Sequence, residues 1–254
     1  MPTPEDKTRS LMFLSLLCFA LADIRDGLGP FLGVFLQEKG WAPDAIGYAM
    51  TAGGFAGMAF ATPLGALADR TRKKRLLLGA AAIGIVAACG VVFFQAGTGT
   101  VWTSKILQGA LAAAIAPALT GLTLGLVGQQ GLPARLGKNE AWNHFGNCST
   151  ALLGGVVGYY HGIPGVFAVM ALMGIFVIIC LVCINPAQVD HAVARGLDGM
   201  NDDKPLPMRF LVQDRALLAV AGTLFFFHLG NAAMLPLLGQ AAVARFQGDP
   251  AVYT

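Results

Sequence analysis

Long apolar stretches separated by short polar breaks set the organisation of this chain. A membrane-crossing helix needs roughly 20 mostly apolar residues, and seven segments have that character: about 11–36, 45–67, 76–98, 101–128, 140–161, 163–184 and 216–244. In hydrocarbon every backbone polar group must be satisfied within the protein, so only helices and closed barrels can span. Runs of this length predict helices, and the expected fold class is an all-α integral membrane bundle of about seven transmembrane helices. Most connections are short. The exception carries Asp190, Arg195, Asp198, Asp202, Asp203, Lys204, Arg209, Asp214 and Arg215 and reads as a solvated linker. The expected organisation is therefore a six-helix bundle over 1–184, a linker over 185–215, and the first span of a further bundle over 216–254.

Three segments repeat small residues at every fourth position: Ala49, Gly53, Gly57, Ala61 and Gly65; Gly109, Ala113, Pro117, Gly121 and Gly125; Gly146, Thr150, Gly154, Gly158 and Gly162. That spacing puts each set on one helix face. Such faces let helix backbones approach closely, which is how helices associate in lipid, where burial from water no longer drives them together. The stripes predict a tight bundle.

Composition removes the soluble alternatives. Of 254 residues, 56% are hydrophobic and 12% charged, with mean hydropathy +0.64, against about 25% charged in an average soluble domain. Cys18, Cys89, Cys148, Cys180 and Cys183 all lie in apolar stretches, which argues against a disulfide framework or a zinc site. They read as small buried hydrophobes, Cys180 and Cys183 included. The net charge of +3 comes from cations in short loops beside spans, so the partner is the lipid bilayer and not nucleic acid. No metal and no cofactor is indicated.

Charge placement predicts orientation. Lys7, Arg9, Arg70, Arg72, Lys73, Lys74, Arg75, Arg135, Lys138, Arg195, Lys204, Arg209 and Arg215 fall on one side, against Lys39 and Arg245 on the other. By the positive-inside rule the N-terminus and the linker are cytoplasmic. The first 22 residues imitate a signal peptide, with Lys7 and Arg9 before Leu11–Leu21 and an Ala20-Leu21-Ala22 site. The apolar pattern resumes at Gly27–Leu36, however, and completes a full span.

The loop after the second span reads Gly65-Ala66-Leu67-Ala68-Asp69-Arg70-Thr71-Arg72-Lys73-Lys74-Arg75. It resembles the G-x-L-A-D-R-x-G-R-K signature of the major facilitator superfamily, at the position where that family carries it. Arg72 replaces the second glycine, which puts the tight turn in doubt. The resemblance implies a helical bundle of the superfamily's type and a gating role for Gly65, Asp69, Arg70 and Lys73, since an acid beside cations at helix ends can form a charge-assisted latch. Lys105-Ile106-Leu107-Gln108-Gly109 resembles the family's R-x-x-Q-G in the fourth span. Two readings of Lys105 stay open: a side chain snorkelling to the interface, and a coupling role with Gln108. Family members have twelve spans, so the resemblance implies a chain truncated relative to them, either a shortened reading frame or a fragment.

Ionisable residues inside spans are costly and usually functional. Asp23, Arg25 and Asp26 lie about midway along the first span, followed by Gly27-Leu28-Gly29-Pro30, which weakens the helix at that depth. Broken helices at midplane mark transporter binding sites. The charges either line a water-filled cavity or pair with one another and Lys105 as a staple. Asp23 and Asp26 share a face; Arg25 points elsewhere and needs a partner on another helix. Aligning Pro30-Phe31-Leu32-Gly33 with Pro236-Leu237-Leu238-Gly239 sets Asn231 opposite Arg25 and His228 opposite Ala22, so His228 and Asn231 join the candidates. Asn143, His144 and Asn147 open the fifth span and read as capping groups.

The function expected is a secondary transporter moving a small solute by alternating access, coupled to protons through Asp23, Asp26 or His228, in a bacterial inner membrane. Import and export are not distinguished. No G-x-x-x-x-G-K-[ST], G-x-S-x-G or H-E-x-x-H is present, so neither ATP hydrolysis nor an enzyme is expected. The alternatives are a truncated, non-transporting fragment of such a protein, and a seven-span scaffold or membrane enzyme.

Overall fold

The computed structural model describes residues 4–26, 28–195 and 213–231. Every regular element among them is helical: α1 (Pro4–Asp26), α2 (Gly29–Glu38), α3 (Pro43–Arg70), α4 (Lys74–Phe94), α5 (Thr98–Cys183) and α6 (Arg215–Asn231), with 3-10 turns at Pro186–Gln188 and Val193–Arg195. The chain divides into two compact units, Met1–Gly196 and Leu197–Tyr253. The first holds α1 to α5; α6 belongs to the second.

Two glycines explain how α5 can run for 86 residues, which at 1.5 Å per residue would be about 130 Å of straight helix. Gly128 (φ 72°) and Gly162 (φ 66°) leave the helical region for a left-handed one that side chains disfavour. They divide α5 into segments over 98–127, 129–161 and 163–183. These breaks fall at the ends of the predicted fourth and fifth spans. The polar stretch 129–139 differs from expectation, since it is helical and not a loop. Among the described residues, α4 and α5 are the helices long and apolar enough to cross a membrane by length and composition.

Contacts between segments fix their directions. Along α4, Lys74 meets Gly121, Gly84 meets Leu111 and the Ser104 hydroxyl donates to Ala88 O at 2.7 Å, so α4 and segment 98–127 are antiparallel. The opposite face of α4 packs antiparallel on segment 163–183, Gly79 against Leu181 and Gly174 against Val86. Helix α1 runs parallel to segment 129–161, and α3 parallel to 98–127. The small-residue stripes lie at these crossings. A Cβ on Gly53 would sit 2.9 Å from Lys105 O, and one on Gly109 would overlap Gly53 O; Gly146 abuts Phe19 O in the same way.

The core runs between these helices through Leu14, Leu17, Ile24, Leu78, Ile85, Ile115, Leu122 and Met170. Outward faces are apolar too: Leu76, Ile83, Val91 and Phe94 of α4 are exposed, Phe94 by 87%. An exterior of this kind suits lipid as the surrounding solvent.

One end of the bundle collects the loop 71–73, the start of α1, the Gly128 turn and the chain after α5. Here the expectation of a solvated linker changes. Val189 and Ala194 are buried, Asp190 N donates to Gly125 O at 2.9 Å, and Asp190 Oδ1 accepts from Ala192 N and Val193 N at 2.8 and 3.1 Å. Residues 186–195 are a folded strap seated against Gly125, where a side chain would not fit.

Candidate solute and coupling site

Helix α1 ends at Asp26 and α2 begins at Gly29. Pro30 lacks an N–H and disfavours helix in the residue before it. Leu28, at φ 68° and ψ −4°, takes the left-handed conformation that starts the new helix. The rod of the first span is therefore broken next to its charges. Asp23 is partly buried, while Arg25, in the last turn of α1, is exposed.

Two polar clusters contact the bundle around α1, one near Asp23 and one near Leu11 and Ser15. The first lies toward α4 and segment 98–127. Lys105 Nζ donates to Gln108 Oε1 at 3.2 Å, Gln108 Nε2 to Ser104 Oγ at 2.7 Å, and Ser104 in turn to Ala88 O. Gln108 and Ser104 are buried. Asp23 and Lys105 both lie within electrostatic reach of the Cys89 thiol of α4. The hydrogen bond to Gln108 turns the lysine head to its own helix neighbour.

The second cluster lies toward segment 129–161. Arg135 Nη2 donates to Leu11 O and Ser15 Oγ, each at 2.8 Å, and its Nε to Asn139 Oδ1 at 2.9 Å. Asn139 Nδ2 donates to Thr123 Oγ1 at 3.0 Å, and Thr123 to Leu119 O at 2.8 Å. Arg135 is 7% exposed, Asn139 4% and Thr123 0%. Burial draws the Arg135 pKa down, and the fan of acceptors offsets that cost. Sequence reading took Arg135 for a topogenic loop charge; the i, i+4 pairing of Arg135 with Asn139 was the available signal of a helix face.

Between this network and Arg25 lies a cavity of about 70 Å³, whose polar lining is Arg25, Thr120, Thr123, Asn139, Glu140 and Asn143. That is room for a few ordered waters. Arg25 thus faces segment 129–161, as a residue in need of a partner on another helix should. Asn143 donates to Glu140 Oε2 at 3.3 Å; His144 and Asn147 are exposed.

In the last turns of α3, Gly65 is partly buried and Asp69 and Arg70 are exposed, and Lys73 is exposed in the loop that follows. The turn does without a glycine at Arg72: Thr71 Oγ1 accepts from Lys73 N at 3.0 Å, and Leu28 is the one non-glycine with positive φ among the described residues. The neighbours Lys74 and Arg75 bind helix ends. Lys74 Nζ donates to Ala68 O in the last turn of α3, and Arg75 Nε to Leu181 O at 2.7 Å, near the end of α5. Each satisfies a C-terminal carbonyl that its helix leaves open. Asp69 lies within electrostatic reach of Lys74.

His228 is exposed on α6, its ring 5.5 Å from that of Phe227, and Asn231 closes that helix. The matched stretch 236–239 lies outside the described residues.

A helical bundle with an apolar exterior and a first rod broken beside charged residues suits a membrane transporter. The profile described as Major Facilitator Superfamily matches residues 11–249. An uncharacterised MFS-type transporter of Mycobacterium tuberculosis strain H37Rv, and its counterpart in strain CDC 1551, are each 41% identical over 231 residues, covering 89% of this chain and 55% of theirs. The chain belongs to the major facilitator superfamily, a family of multi-pass membrane transporters that move small solutes. It spans about half the length of the curated relatives it matches.

Proposed function

We propose that the chain supplies the first bundle and the opening span of a proton-coupled secondary transporter. In this reading seven helices cross the membrane, the bundle over 1–184 and the span over 216–254 are joined by the 185–215 segment, and the solute site opens at the α1–α2 break. Asp23, Arg25, Asp26, Lys105 and Gln108 serve solute and proton, and His228 and Asn231 are the solute and coupling candidates of the second unit; Gly65, Asp69, Arg70 and Lys73 work the cytoplasmic gate. The observation that carries the reading is the break itself, with Asp23 and Lys105 within electrostatic reach of Cys89 and a polar cavity at Arg25. A carboxylate whose cation partner approaches in one conformation and withdraws in the other releases and takes up its proton in step with that motion. Protonation and conformation are then thermodynamically linked.

The test uses inverted membrane vesicles with an imposed pH gradient and a panel of cationic, zwitterionic and anionic solutes. Wild type should dissipate the gradient on addition of one class. Asp23→Asn and Asp26→Asn should each abolish that proton movement while leaving solute counterflow measurable; full pH-driven accumulation in both variants would sink the coupling role. Orientation is checked separately by reporters fused after Gly199, expected cytoplasmic, and at Thr98, expected periplasmic. An inverted readout at either point would overturn the gate assignment.

A further inference from the structure

A larger concavity than the one at Arg25 lies away from the α1–α2 break. It is a groove of about 700 Å³ beside the start of α4, whose rim carries Arg72, Lys73, Lys74, Arg75 and His191 and whose floor is apolar, with Gly79, Ala80, Ile83, Leu122 and Ile178. From Arg75 to Ile83 the floor follows α4 for roughly 12 Å at 1.5 Å per residue. Leu76 and Val182, which also line it, are 65% and 70% exposed, so the groove opens sideways to lipid.

Charge at the rim is strongly one-sided. Lys74 and Arg75 are engaged with helix-end carbonyls, but Arg72 and Lys73 are exposed. Helix α4 starts here with no side-chain cap and no acid in its first turn, leaving N–H groups and a partial positive charge that favour an anion. Arg195 adds positive potential at Lys74, and Asp69 opposes it. On the strap, His191 Nδ1 is buried without a hydrogen-bond partner.

A basic rim over an apolar trough that opens to the bilayer fits a molecule with a phosphate and a fatty tail. We infer that the groove binds an anionic phospholipid of the surrounding membrane, its phosphate on Arg72, Lys73 and the N-terminus of α4, and an acyl chain along Gly79, Ala80 and Ile83. A zwitterionic lipid carries its own cation to the rim and is disfavoured there. The site requires the chain to be embedded in a membrane; it shares Lys73 with the proposed gate and is independent of the solute and proton residues.

Native mass spectrometry of the purified full chain, titrated with dioleoylphosphatidylglycerol or dioleoylphosphatidylcholine, tests this. Wild type should retain one phosphatidylglycerol about tenfold more tightly than phosphatidylcholine, and Arg72→Gln with Lys73→Gln should weaken it by about thirtyfold, near the value of two juxtamembrane charges. Lys7→Gln with Arg9→Gln, the same charge change at the start of α1, should leave retention unaltered. Ala80→Phe, which fills the trough and keeps the cations, should reduce retention of phosphatidylglycerol. Equal retention of the two lipids, or equal loss from the two charge-removal pairs, would reduce the effect to diffuse surface charge and overturn the site. Displacement by excess inorganic phosphate would mark a soluble-anion site instead. Absence of any retained lipid would mean that the chain itself covers the groove.

Discussion

Arg25 and Arg135 exchange the roles that their places in the sequence suggest. Arg25 sits in the middle of an apolar run and is exposed; Arg135 sits in a polar stretch between two runs and is 7% exposed. The reason is local. Arg135 lies one helical turn from Asn139 and opposite Leu11 and Ser15, so each of its buried bonds has a fixed acceptor. Arg25 lies at the end of a broken helix beside a polar cavity. One arginine holds three helical segments together. The other faces a space that water can enter.

The largest effect tests the frame around both. Gly109→Val should prevent recovery of folded protein, because the new Cβ falls on the backbone oxygen of Gly53, whereas Gly99→Val, in open space, should behave like wild type. Comparable yields of monodisperse protein from the two variants would remove the close α3–α5 crossing from the argument. Next, Arg135→Ala removes the donor from which Ser15 Oγ and Asn139 Oδ1 accept and should lower stability by about 1.5–3 kcal/mol, the range for hydrogen bonds to a charged group. Arg25→Ala should leave thermal unfolding in detergent unchanged. Equal shifts of the melting curve in the two variants would erase the contrast.

Much of the helix pattern was legible because apolar length is a direct consequence of the solvent. Gly128 and Gly162 ended segments where the runs ended, and the fourfold spacing of Gly53, Gly109 and Gly146 identified faces that do approach closely. What stayed hidden depends on partners far away in the chain. Arg75 looked like any loop cation, and nothing near it indicates that it would reach Leu181 O. Val189 and the short run Ala192-Val193-Ala194 are too brief for a periodicity, yet Val189 and Ala194 seat the strap on Gly125. At the candidate site, the charges and the helix break were readable from Asp23 to Pro30. The direction of Arg25 and the buried neighbours of its cavity were not, because they follow from how segment 129–161 is rotated against α1.

The Gly53–Gly109 crossing also has a genetic meaning. Each glycine codon can mutate by one base only to another glycine, a stop, or a residue that carries a Cβ. At Gly109 that first carbon meets main-chain oxygen, which no change of rotamer can move aside, and at Gly53 it meets the main chain of Lys105 at 2.9 Å. Neither position has a neutral amino-acid neighbour in codon space, and a second change at the other position cannot compensate, since the obstacle is backbone. Drift at this crossing should therefore be confined to synonymous bases, while Gly54 and Gly99, whose Cβ would meet nothing within 4 Å, remain free to vary.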